Sequence, residues 1–418
     1  MGSFNLTNFD AAMKHMYPYK KVENMVYQNN PLFSMIPKET HFAGRNATYA
    51  IEYGMTSGRS ANFATAQNNR SGTKLEDFVV TRVKDYAVVS VDNETLLAAD
   101  GSEGSLLDVA KAKTDSALHV LSRTMGRDIY RSGTGIVGKT IASSGTYSGT
   151  TLELVAGDAV NFEVGMRLKS VATGDGDGGA FRSGVLEVTA VDRDADVLTT
   201  NVACTTGIPG ITNGDFLYIE GDGANGGSNI KMSGLDAWIP ATVTSSSFFG
   251  VDRTLDKTRL GGQRSTYDST SVHTTIIKAA VKVGREGGRP DAMFVNPTDW
   301  AELALDIEGK SAVAGTSSNR RYDPSDRKGQ FGFSSLSIAT PTGMVDVYAD
   351  HNCPVNLGYL LQMDTWKFKS LGPAPRLLDF DGLKGIRQSN EDGVEYRWGY
   401  YGNLLCTAPG FNARITLA

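Results

Sequence analysis

Cysteine is scarce in this chain, which has three in 418 residues: Cys204, Cys353 and Cys406. They are odd in number, far apart and in no metal-binding spacing, so we expect free thiols in a reducing compartment. No apolar run approaches the ~18–20 residues that span a bilayer. The first residues also lack the charged and apolar stretches of a secretory signal. These absences argue against a membrane-spanning protein and against a small secreted, disulfide-stapled one.

The chain also has no excess of basic over acidic residues. The 41 Lys and Arg against 46 Asp and Glu give a net charge of −5. The chain as a whole therefore has no positive electrostatic field that would attract nucleic acid. The five histidines are isolated from one another, and neither H-E-x-x-H nor G-x-S-x-G occurs. We therefore predict a protein that is not an enzyme, with no catalytic residue, no metal ligand and no cofactor.

What the chain has is glycine, 47 residues against 13 prolines, and 40% hydrophobic residues. Such a composition favours many turns between short strands around sizeable cores. The length suggests two to three domains, or one domain with an insertion.

The clearest single element is a long amphipathic helix predicted over Leu106–Arg131. Ser105 is the expected N-cap and Ser132-Gly133 the expected stop. Its apolar side chains recur at steps of three, four or seven: Leu107, Ala110, Ala117, Leu118, Leu121, Met125 and Ile129. A helix with one apolar stripe needs a sheet or another subunit to cover it.

Residues 46–98 predict a long hairpin, with strands at Ala47–Tyr53 and Asp77–Val91 around a polar, glycine-containing tip. An isolated two-stranded ribbon is marginally stable in water, so this one is expected to lie over a neighbour. The tip carries the cations Arg59, Arg70 and Lys74 and one apolar residue, Phe63. Two interpretations stay open: an ordinary solvated surface, or contact with an acidic patch on an adjacent subunit.

Residues 134–228 differ from the rest of the chain in charge. They hold twelve acidic and five basic residues, a net −7 that leaves +2 for the remainder. Short strands near Thr151–Val155, Val185–Val191 and Phe216–Glu220 alternate with Gly/Asp turns, which predicts an inserted acidic barrel or sandwich.

Two motifs in or next to that segment suggest chemistry. Gly133–Thr140 satisfies the phosphate-binding pattern G-x-x-x-x-G-K-T, but that loop needs a strand before it and a helix after it, and here the predicted helix precedes it. Asp175-Gly176-Asp177-Gly178-Gly179 suggests calcium, but the twelfth position is Leu186 where a bidentate Glu is required. We interpret the first as a loop leaving the helix and the second as an acidic turn.

Residues 229–418 return to a mixed pattern of helices and strands. The sequence predicts a helix over Val272–Arg285, a buried strand over Ala292–Val295, and a second helix capped by Asn296. Strands are expected near Ser335–Ala339, Val345–Ala349 and Gly358–Met363, and the aromatic segment Glu395–Thr407 is expected to form a closing strand pair. A polar stretch between them contains Arg320 and Arg321, further candidate contacts for assembly.

This element order resembles that of the major capsid proteins of tailed bacteriophages, the fold named after phage Hong Kong ninety-seven. The run Pro290–Trp300 resembles the strand-to-helix step of their A-domain, and Tyr401-Gly402-Asn403-Leu404 with Pro409 resembles their C-terminal end. The resemblance implies an α+β fold divided as follows: N-arm 1–45, E-loop hairpin 46–98, P-domain with spine helix 99–133, inserted acidic β domain 134–228, A-domain 229–390 and C-terminal strands 391–418.

The resemblance also implies a function. The chain would be the head shell protein, assembling into the pentamers and hexamers of an icosahedral or prolate shell around double-stranded DNA. Expected partners are further copies of the chain, a separate scaffold protein, a portal, a decoration protein and packaged DNA held by non-specific proximity, with no membrane. The expected location is the virion, after assembly in the host cytoplasm. Three alternatives stay open: an encapsulin-like shell protein, a nucleotide-hydrolysing enzyme using Lys139 and Thr140, and a β-rich surface or tail adhesin.

Overall fold

The computed structural model describes residues 30–42, 44–94, 109–141, 147–223, 229–267, 271–313, 335–379, 385–388 and 392–417. Residues 1–29 of the predicted N-arm, and Arg320 and Arg321, lie outside these ranges. The described helices, in chain order, are α1 Pro31–Met35, α2 Phe63–Asn68, α3 Val109–Asp128, α4 Cys204–Gly207, α5 Leu235–Trp238, α6 Val272–Arg285 and α7 Pro297–Val313.

The described strands form three six-stranded sheets and one two-stranded ribbon. In chain order they are β1 Lys38–Glu39, β2 Asn46–Gly54, β3 Lys74–Thr81, β4 Val83–Asp92, β5 Ile136–Lys139, β6 Thr151–Glu153, β7 Arg167–Val171, β8 Leu186–Asp192, β9 Val197–Thr200, β10 Phe216–Ile219, β11 Gln263–Thr266, β12 Ala292–Val295, β13 Ser335–Thr340, β14 Gly343–Ala349, β15 Leu357–Leu361, β16 Trp366–Ser370, β17 Arg376–Leu377, β18 Ile386–Arg387, β19 Gly393–Cys406 and β20 Ala413–Thr416.

The long helix α3 packs on the first sheet, where β19 pairs with β4 and β16. The predicted stripe is confirmed for Ala117, Leu121, Met125 and Ile129, each at most 4% exposed. The start of the predicted helix, up to Asp108, lies outside the described residues. The C-terminal boundary was wrong: the helix ends at Asp128 and its last turn tightens, because Ile129 O accepts the amide of Leu235 from the returning chain.

The predicted hairpin is divided in two. Its return strand is β3 alone, which pairs with β2, whereas β4 pairs along its whole length with β19. The expected strand Asp77–Val91 was therefore wrong, because the pairing partner changes at Arg82 and the buried positions shift by one residue there, from Phe78 and Val80 to Val83 and Val91. The closing segment was also wrong in one respect: Gly393–Cys406 is one continuous strand rather than a pair.

The acidic segment forms its own sheet, in the order β5-β10-β7-β8-β9-β6. Thr140 bridges Leu154, so the two outer strands meet and the sheet closes into a small barrel. Val155 N donates to Lys139 O and Ile141 N to Glu153 O at this seam, both at about the ordinary hydrogen-bond length. Inside lies a separate apolar core that includes Val137, Leu168 and Leu217.

The third sheet has the order β11-β20-β15-β12-β14-β13, with α6 and α7 against it. The predicted bounds of α6 and β12 are confirmed, and Thr298 N donates to Asn296 Oδ1 at 3.1 Å, which confirms the predicted cap. The expected A-domain bounds, 229–390, stay a prediction. Strands β16, β17 and β18 pair with β19 of the first sheet, since the chain crosses back after β15.

Candidate assembly surface

The tip of the hairpin between β2 and β3 is an ordered structure. Asn62 Oδ1 accepts the amide of Thr65 at 3.3 Å and so caps the short helix α2. At the neck of the tip, Ser71 N donates to Ser57 O at 2.7 Å. Among the described residues, the hydrogen bonds of 57–71 stay within the tip.

Apolar side chains on this tip face solvent. Phe63 is 79% exposed and Met55 81%, while Leu75 on the return strand is 58% exposed. Scattered exposed apolar residues need no explanation, but three on one projecting element indicate a contact surface. The sequence predicted Phe63 as a contact residue but not Met55 and Leu75. These two could have been found in the sequence as the apolar residues on either side of the polar segment.

The tip is also uniformly basic. Residues 55–74 contain three cations, Arg59, Arg70 and Lys74, and no carboxylate. All three side chains are exposed, and Arg70 Nε donates to Gln67 O at 2.8 Å, which holds that guanidinium at the end of α2. The structure thus brings four of the six predicted contact residues onto one element.

The base of the hairpin is anchored to its own chain. Phe78 is buried against Trp238, with ring centroids 5.3 Å apart, and Val79 N donates to Phe249 O at 2.8 Å. Arg259 Nη1 also donates to Tyr53 O at 2.7 Å. Because the base of the hairpin is fixed to the body of its own subunit, that subunit determines where the projecting tip lies.

The acidic barrel is held against the long helix by ion pairs. Arg123 binds the Glu163 carboxylate, and Arg131 Nη2 lies 3.4 Å from Asp158 Oδ1. Burial raises the pKa of Asp158, while Arg131 and the amide of Lys139 act in the opposite direction. One edge of the acidic segment therefore docks on basic residues of α3 and of the turn that follows it, and Glu187, Asp192 and Asp194 are exposed elsewhere.

The phosphate-loop pattern at 133–140 has the wrong structure for that chemistry. It follows α3 and leads into β5, so Lys139 lies in a strand, whereas the phosphate-binding loop requires this lysine at the start of a helix. Lys139 Nζ instead lies 4.8 Å from the Phe216 ring centroid, and Thr140 Oγ1 donates to Thr212 O at 3.0 Å.

The acidic turn also has a structural explanation. Asp177 accepts hydrogen bonds from Ser132 Oγ and Thr134 Oγ1 at 2.5 Å and from Tyr218 OH at 2.6 Å. Its carboxylate joins the barrel to the end of α3. Within the described ranges, no three His, Cys, Asp or Glu side chains are grouped to hold a metal ion. None of the helices described there is long and apolar enough to cross a membrane.

Comparison with known proteins agrees with this architecture. Residues 213–384, somewhat less than half of the chain, match the family described as SU10 major capsid protein. A chain of the cyanophage A-1(L) capsid asymmetric unit is similar in structure, with a TM-score of 0.55 and 11% identity over 96% of both chains. No curated protein matches the chain in sequence.

Two further structures cover the whole chain at lower similarity. A chain of Mycobacterium phage Ogopogo gives a TM-score of 0.46 at 10% identity, covering 100% of both chains. The holo-SrpI encapsulin of Synechococcus elongatus gives 0.45 at 7% identity, covering 100% of this chain and 96% of the other. Both TM-scores are too low to support a conclusion about the fold of this chain. The phage capsid fold that the sequence predicted is confirmed by the first comparison.

Proposed function

We propose that this chain, a major capsid protein of a tailed bacteriophage, builds a closed head shell through contacts made by its hairpin tip on an adjacent copy. The observation that carries the proposal is the tip itself: an ordered element with exposed Phe63 and Met55, three cations and no carboxylate, projecting from an anchored base. Apolar area buried on a neighbour contributes ~25 cal/mol per Å².

The remaining assignments belong to the same proposal. Residues 1–45 serve as N-arm, 46–98 as E-loop, 99–133 as P-domain with its spine helix, 134–228 as inserted domain, 229–390 as A-domain and 391–418 as closing strands. Copies of the chain form pentamers and hexamers around double-stranded DNA, with separate scaffold, portal and decoration proteins, and assembly takes place in the host cytoplasm. Arg320 and Arg321 are further contact candidates.

The family match at 213–384 and the 0.55 structural likeness support this function. The order of elements around Lys139 speaks against nucleotide hydrolysis, since the required helix does not follow β5 in the described chain. No structural observation favours the adhesin alternative.

Deletion of Ser57–Ser71 tests the proposal. Expressed with its scaffold, the deleted chain should stay folded by circular dichroism, because the hydrogen bonds of this segment are internal. It should sediment as subunits or capsomers, while the full chain gives shells visible by electron microscopy. Shells of normal size and yield from the deleted chain would overturn the proposed contact.

A point variant refines the test. Phe63→Asn removes the main apolar group of the tip, and Val164→Asn removes an apolar side chain that is 64% exposed on the barrel. Assembly should fall with Phe63→Asn and stay at wild-type yield with Val164→Asn. Equal yields from the two variants would mean that the tip makes no specific contact.

A further inference from the structure

Arg253 is a buried cation for which the described chain supplies no carboxylate. Its side chain is 7% exposed, and Nη1 donates to Ala237 O at 2.7 Å and Trp238 O at 3.3 Å. The Phe248 ring centroid lies 4.1 Å from the guanidinium carbon. Within the described ranges no acidic side chain lies within ion-pair distance of it, and Nε is buried without a hydrogen-bond partner.

The adjacent carboxylate is already occupied. Asp252 Oδ1 accepts both the amide of Thr254 at 2.8 Å and its hydroxyl at 2.6 Å. The charge that acts on Arg253 is that of another cation, Arg264, which donates to four backbone carbonyls. Burial, with a smaller effect of Arg264, lowers the pKa of Arg253 to about 10, so the guanidinium stays charged at neutral pH.

This cation lines a cavity of about 500 Å³ between the base of the hairpin and the loop of residues 246–250. Its other polar lining residues carry no charge: Thr81, Asn229, Ser233, Ser246, Ser247 and Asn403. Ser233 Oγ is buried and has no hydrogen-bond partner. Val79, Thr81 and Val83 form the wall on the strand side, around the junction of β3 and β4.

A buried charge without a counter-ion is costly, and buried charges in proteins are paired with an opposite charge. Arginine cannot relieve the cost by releasing its proton at neutral pH. The geometry points to this cavity as a binding site for a small oxyanion, of phosphate or carboxylate type, held by Arg253 and the hydroxyl groups at its mouth. The site does not depend on the proposed shell function, because it lies within one chain.

The first test titrates the unassembled full-length chain with inorganic phosphate at constant ionic strength and follows the thermal midpoint. A ligand that binds only the folded state raises the midpoint in a saturable way. Arg253→Met should raise the apparent dissociation constant at least about tenfold, because a charge-assisted hydrogen bond is lost. Arg289→Met, which removes an exposed guanidinium elsewhere, should leave it unchanged.

A second variant keeps the test decisive if Arg253→Met fails to fold. Ser247→Glu places a carboxylate at the mouth of the cavity from an exposed position, so it should raise the midpoint without phosphate and abolish the phosphate response. Ser245→Glu, two residues away and outside the lining, should do neither. A wild-type midpoint that phosphate does not shift, or a response that survives Ser247→Glu unchanged, would overturn the site.

Repeating the titration on assembled shells separates the two sources of the oxyanion. If a dissolved ion fills the site, shells respond to phosphate as the unassembled chain does. If a carboxylate of a neighbouring copy fills it, the response is present before assembly and absent afterwards. Both results support the site.

Discussion

Lys231 Nζ lies 2.8 Å from Asp85 Oδ1, and both side chains are largely buried, at 4% and 11% exposure. The same ammonium lies 3.0 Å from Asp222 Oδ2, while Asp128 and Arg127 of α3 form the next ion pair at 2.8 Å. This charge cluster joins strand β4, the end of the long helix and the chain that returns from the barrel after β10. Burial raises the pKa of Asp85, against the effect of Lys231.

Lys231→Met should therefore destabilise the subunit strongly. It removes the ammonium that pairs with Asp85 and Asp222, and breaking a buried pair in this way costs about 3–5 kcal/mol. Urea unfolding of the purified chain measures the loss. Lys257→Met, at an exposed lysine, should change the free energy of unfolding by no more than ~0.5 kcal/mol, and similar losses for both would contradict the assigned role.

Leu121→Asp should prevent folding. Leu121 is 2% exposed in the stripe of α3, and an unpaired carboxylate there costs several kcal/mol. Val120→Asp is the matched control, since this neighbour on the same helix is 55% exposed. Soluble expression and circular dichroism compare the two; a folded, assembling Leu121→Asp chain would show that the stripe is not a core element.

Gly234→Ala should be destabilising for a steric reason alone. A Cβ at this position would lie 2.3 Å from Ile129 O and 2.4 Å from Asp128 O, at the point where the returning chain bonds to the end of α3. We expect a loss of about 1–3 kcal/mol from the forced shift of backbone. Gly149→Ala meets nothing within 4 Å and should be close to neutral in the same thermal unfolding assay.

Asp299 makes stability depend on pH. Burial raises its pKa from 3.8 to about 6, with Glu302 adding to the rise and the amide of Asn356 opposing it. The ionised carboxylate is thus destabilising at neutral pH, and this penalty disappears as the pH falls through about 6 toward 4. Asp299→Asn should be more stable than wild type at pH 7 and equal to it near about pH 4.

Thermal unfolding across that pH range measures the effect. Asp194→Asn, at an exposed carboxylate of the barrel, is the control for the loss of one acidic side chain. A gap between Asp299→Asn and wild type that is constant with pH would show that this carboxyl titrates normally.

Helix faces and helix starts, which depend on residues close together in the sequence, could be predicted from it. The spacing of Leu121, Met125 and Ile129 predicted the buried face of α3, and the Asn296-Pro297 pair predicted the start of α7. The sequence held one sign of the division at Arg82, because the apolar positions shift by one residue from Phe78 and Val80 to Val83. The change of pairing partner from β2 to β19 could not be predicted, because it depends on distant segments.

The same difference between local and distant information applies to the candidate assembly surface. The basic composition of the tip and the single phenylalanine are visible in the sequence, so Arg59, Phe63, Arg70 and Lys74 could be proposed from it. The isolation of Arg253 could not, because it depends on which carboxylates are absent from a neighbourhood assembled from distant segments. The partners of Lys231 were invisible for the same reason, since Asp85 is far away along the chain.

Arg82 separates β3 from β4 and is the only residue between a ribbon that projects and a sheet that is fixed. Its Nη1 donates to Phe42 O at 3.2 Å, and its guanidinium carbon lies 5.4 Å from the Phe42 ring centroid. The hairpin is thus joined to the sheet through one residue whose side chain contacts residues 30–42. Because Phe78 and Val79 fix the base of the hairpin to its own subunit, a change of angle between neighbouring subunits is taken up beyond them, in the exposed part of the ribbon toward the tip, and the sheet that covers the long helix keeps its shape.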